Sequence, residues 1–78
     1  MPRFFFHLRE GDQLVRDLQG QDLPDVNTAC SEAVAGAQEI VSERIKAGKS
    51  IDEHELHLCD ESGAVLEWFP FSSVLKAS

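Results

Sequence analysis

Residues 1–12, MPRFFFHLREGD, place three phenylalanines and a histidine in succession and then a turn. Phe4 to Leu8 is rich in residues that favour strands. REGD then supplies turn chemistry, with Gly11 free to take positive φ in a tight hairpin. Successive side chains of a strand point to opposite faces. Phe4, Phe6 and Leu8 therefore share one face, and Arg3, Phe5 and His7 share the other. A strand that is aromatic on both sides fits a sheet with a core on one face and a contact surface on the other.

Working outward, QLVRD returns as a shorter, more polar strand, which gives a hairpin over 3–17. The segment 18–25 reads as a loop, with Pro24 pressing Leu23 into an extended conformation and Asp25 suited to cap a helix. From Val26 the apolar residues Ala29, Cys30, Ala33, Val34, Ala37, Ile40, Val41 and Ile45 recur at threes and fours. That spacing predicts an amphipathic helix over 26–47, stopped by Gly48. Its stripe is small first and larger later, so its N-terminal half should approach its support more closely.

A second hairpin is expected over 54–71. HELHLCD alternates, with Leu56 and Leu58 inward and Glu55, His57 and Cys59 outward. DESG makes the turn. In AVLEWFPF, Leu66 and Trp68 are expected inward, and Val65, Glu67 and Phe69 outward. Pro70 suits an edge or the end of pairing, and a short C-terminal turn is expected over 72–77.

These elements describe one α+β domain over 1–78, ordered β-β-α-β-β, with a four-stranded sheet and one long helix on one face. FFFHL and VLEWF are the most apolar strands, and the charged ones suit edges. That favours the β-grasp-like order 2-1-4-3, with first and last strands parallel at the centre. The antiparallel order 2-1-3-4 is the alternative.

One helix covers one side of such a sheet. The other side would show Phe5, His7, Val65, Glu67 and Phe69, and an apolar patch with a polar rim marks an interaction surface. The expected function is that of a non-enzymatic module associating with itself or with a protein partner there. A chain of 78 residues buries a modest core, which favours added burial. The net charge of −7 and the lack of a basic rim weigh against nucleic acid and anionic membranes. FFF is too short for a secretory signal and no apolar run suits a membrane span. Two cysteines, Cys30 and Cys59, are too few for a disulfide framework, and the expected location is cytoplasmic.

Two chemical alternatives stand beside the module. His7, His57 and Cys59, with His54 on the other parity, have zinc-ligand chemistry. Pro2, exposed after loss of Met1, could act as a catalytic base of the kind the tautomerase superfamily uses, with Arg3, Arg9 or Arg16 holding a carboxylate substrate. No cofactor is implied. Asp12, Asp17, Asp22 and Asp25 lack the alternation of a calcium loop and read as caps, turns and solubilising groups.

PRFFFHL, DLQG, LPD, ACSEA, DESG and the closing PF resemble a family of short bacterial proteins that open with M-P-R-(Tyr or Phe)-F-F-H-L, a domain of unknown function. The likeness covers nearly the whole chain. It carries Arg3, Phe4, Phe5, Phe6, His7, Asp17, Gly20, Leu23, Pro24, Asp25, Ala29, Glu32, Ala33, Asp60, Gly63 and Phe71. It implies no activity, cofactor or catalytic residue.

Overall fold

The computed structural model describes residues 1–76. Strands β1 (Arg3–Glu10), β2 (Gln13–Val15) and β3 (Gln21–Asp22) precede helix α1 (Val26–Lys46). Strands β4 (His54–Cys59) and β5 (Val65–Pro70) and a short helix α2 (Phe71–Lys76) follow. The turn expected over 72–77 is thus a helix that starts at Phe71, and residue 77 lies outside the described residues.

Every strand pairing is antiparallel, in the order β2-β1-β4-β5, with β3 paired to the start of β1. The β-grasp-like order 2-1-4-3 is therefore wrong, and the sheet follows the antiparallel alternative with one strand more than expected. β3 forms within the segment read as a loop, pairing Arg3 with Asp22 and Phe4 with Gln21. β4 is central despite its polar residues, because Glu55 and His57 lie opposite Arg9 and His7, and Leu56 and Leu58 are buried. β5 is an edge despite its apolar residues, with Val65, Leu66 and Trp68 exposed.

Helix α1 lies on one face of the sheet. Asp25 caps it, Oδ1 accepting the Thr28 amide hydrogen at 2.7 Å. Gly48, at φ 72°, turns the chain out at the other end. Ala29, Ala33, Ala37 and Val41 form its buried stripe, and the three alanines are fully buried. Side chains this small let the helix backbone come close to the sheet.

Two core clusters result. Phe4, Ala29 and Leu58 form one; Ala33, Ala37, Val41, Leu56, Phe71 and Val74 form the other. Phe6 and Phe69 pack against both. The inward placing of Phe4, Phe6, Leu8, Leu56 and Leu58 holds. In β5 it does not: Phe69 is inward, opposite Leu56, and Trp68 is outward, opposite His57. A bulge between Leu58 and Cys59 shifts the register, so that Cys59 faces Val65 and one residue of β5 is extra.

Candidate open sheet face

The face away from α1 is built from three rows of cross-strand neighbours. Phe5, Cys59 and Val65 form the first; His7, His57 and Trp68 the second; Leu14, Arg9, Glu55 and Pro70 the third. Of the residues expected on this surface, Phe5, His7 and Val65 are there. Phe69 is in the core, and Glu67 occupies an inward position opposite Leu58. Trp68, expected inward, takes their place at 59% exposure.

The second row is an aromatic ladder. His57 stacks on Trp68 with ring centroids 5.7 Å apart, and Phe5 lies against His7 at 6.3 Å. His57 Nε2 donates to Glu55 Oε1 at 3.0 Å, and Arg9 Nη1 donates to the same oxygen at 3.0 Å. The His57 hydrogen bond, followed by that of Arg9, outweighs burial and holds the Glu55 carboxyl below its ordinary range. Arg9 and Glu55 thus neutralise each other within the face.

Asp17 fixes the end of the face nearest Phe5. Its Oδ2 accepts the Phe6 amide hydrogen at 3.2 Å, and its Oδ1 those of Gln19 at 3.2 Å and Gly20 at 3.1 Å. Its own N–H donates to His7 Nδ1 at 2.9 Å. Burial raises the Asp17 carboxyl, but the Gly20, Phe6 and Gln19 amides, helped by His7, bring it below its ordinary value. An aspartate read from sequence as turn-making and solubilising is therefore the clamp that orients His7 and holds 17–20 against β1. Gly20, at φ 71°, comes so close that a Cβ there would lie 2.8 Å from the Phe4 carbonyl oxygen and 2.9 Å from Phe5 Cε2.

The alternative chemistries are less well served. His7 and His57 are direct neighbours across β1 and β4, and Cys59 is one row away. His7 Nδ1 is taken up by Asp17. Cys59 is buried, and burial followed by the Asp60 charge pushes its thiol up, away from the thiolate that binds metals. Among the described residues no three His, Cys, Asp or Glu side chains are placed to hold a metal ion. Pro2 is exposed, and its carbonyl accepts the Leu23 amide hydrogen at 3.0 Å. Both thiols are free. No helix among the described residues is long and apolar enough to cross a membrane.

A second polar centre lies at the other end of β4. His54 Nδ1 donates to the Asp52 carbonyl at 2.7 Å, and its ring stacks on Phe71 at 5.6 Å. Its buried Nε2 has no hydrogen-bond partner among the described residues and lies 3.6 Å from Glu10 Oε2, which is 3.8 Å from Arg44 Nη1. A cavity of about 290 Å³ opens beside it, lined by Arg9, Asp12, Glu53, Glu55 and Ser72 among others.

The edge of β5 is closed by its own residues. The Trp68 N–H finds a partner within β5 itself. That N–H donates to Glu67 Oε1 at 3.2 Å. Pro70, the next outward position, has no N–H. A charge on the inward parity and a proline are devices that keep an edge strand from adding another strand.

No curated protein and no solved structure matches this chain. A family model does, that of a domain of unknown function, DUF6894, over residues 3–72. With nearly its whole length matched, the chain belongs to the DUF6894 family.

Proposed function

We propose that the protein is a non-enzymatic interaction module that binds a protein chain through the sheet face not covered by α1. One observation carries this: Trp68 stands 59% exposed at the centre of β5, held upright by His57, with Val65 beside it at 47%. A large aromatic side chain ordered by a neighbour yet left in solvent is the kind of anchor that dominates binding energies. Phe5 and His7 extend the same face, and the Asp17 clamp fixes their positions in advance.

A photoreactive amino acid at position 68, in cells that express the protein, tests this against the same group at Gln38 on the exposed side of α1. Cross-linked protein adducts are expected from position 68 and not from 38. Absence of adducts from 68, or equal adducts from both, contradicts the proposal.

A further inference from the structure

We infer that His7 and Asp17 form an acid-operated catch, in which a proton on His7 releases the Asp17 amide and with it the hold of His7 on residues 16–20. This goes beyond the interaction reading and needs no partner.

The fold leaves a gap for such a catch. β2 is paired with β1 as far as Val15 opposite Leu8, and pairing resumes in β3 with Gln21 opposite Phe4. Between these ladders, 16–20 passes β1 without strand pairing. It is joined there by the Phe6 amide to Asp17 Oδ2, the Asp17 amide to His7 Nδ1, and Arg3 Nη1 to the Gln19 carbonyl.

The bond to His7 fixes the state of the imidazole. A backbone N–H only donates, so Nδ1 offers its lone pair at 2.9 Å and the neutral ring carries its proton on Nε2. An imidazolium is a donor at both nitrogens. Proton uptake therefore sets one N–H against another, and the Asp17 amide must part from the ring. Histidine is the side chain that ordinarily changes charge between about pH 5 and 8. The other two bonds do not share this sensitivity. Burial raises the Asp17 carboxyl, but the Gly20, Phe6 and Gln19 amides bring it below its ordinary value, so it stays ionised across that span. The Arg3 guanidinium keeps its charge throughout.

Charged and titratable groups approach His7 from each side. Asp17 lies on the 16–20 segment, with the exposed Arg16 before it in the chain. Arg9 follows on the same face of β1. On β4, His57 stands directly opposite, its Nε2 donating to Glu55 Oε1, which Arg9 also engages. Glu55 is thus taken up by His57 and Arg9, and Asp17 by the Phe6, Gln19 and Gly20 amides. The imidazolium is drawn towards the Asp17 carboxylate, but its contact with the Asp17 amide is lost wherever the ring settles.

A nuclear magnetic resonance titration of the isolated chain from about pH 8 to about pH 5 tests the catch. The Asp17 amide and the His7 ring are expected to respond together. The amide proton should move upfield, and its protection from exchange, relative to an unstructured chain at the same pH, should fall about fivefold or more, the loss of one hydrogen bond. His7→Asn places an amide oxygen where Nδ1 stood, so the bond should persist and the pH response vanish. His57→Gln removes the neighbouring titration and should leave the response in place. An Asp17 amide unmoved while His7 takes up its proton overturns the inference. So does a His7 that stays neutral throughout, or a response that survives His7→Asn.

Discussion

His57 and Trp68 lie directly opposite each other on β4 and β5, their rings 5.7 Å apart and 27° from parallel. A central strand thereby props an aromatic ring on an edge strand whose other neighbour is solvent. Aromatic cross-strand pairs contribute about 0.2–1 kcal/mol. Trp68→Ala should cost the fold no more than about 1 kcal/mol, as measured by urea denaturation. A larger loss would place the indole in the core and remove it from the proposed surface.

Asp17 makes the fold sensitive to acid in a defined direction. Its carboxyl ionises more readily in the folded chain, so its contribution is complete above the ordinary carboxylate range. It is lost as pH falls through that range towards the lowered folded value. Asp17→Ala leaves the Phe6, Gln19 and Gly20 amides without their acceptor, a loss of about 1.5–3 kcal/mol for hydrogen bonds to a charged group. Unfolding free energies at neutral and acid pH should differ between wild type and variant at the upper end and converge at the lower.

Gly20 should tolerate no side chain. Its φ of 71° is strained for any other residue, and the Cβ of alanine would lie 2.9 Å from Arg3 Cγ as well as close to Phe4 and Phe5. Gly20→Ala should cost about 1–3 kcal/mol for the backbone alone, with more from the contacts. Thermal denaturation measures this.

Much of the architecture was legible because it rests on period. Alternation in β1 and β4 separates Phe4, Leu56 and Leu58 from Phe5 and His57, and the helical repeat identifies Ala29, Ala33, Ala37 and Val41. Strand order was not legible because apolar content does not mark the central strands of this sheet. In β5 that content serves an exposed face, and in β4 the polar residues are matched by neighbours across the sheet. The phase of β5 was misread because one bulged residue reverses the parity of everything after it. VLEWF is apolar on both parities, so nothing local revealed the shift, and Trp68 and Phe69 exchanged places. Asp17 was missed because its partners are backbone amides, which leave no trace in side-chain pattern. DLQG, an aspartate three residues before a glycine, was the one available hint.

The claim that the uncovered sheet face is the working surface is tested most directly by cross-linking in cells, with the photoreactive group placed in turn at positions 68, 65 and 38. The account predicts protein adducts from Trp68 and Val65, the exposed outward side chains of β5, and none from Gln38 on the exposed side of α1. Adducts from position 38 alone, or none from 68 and 65, would contradict it.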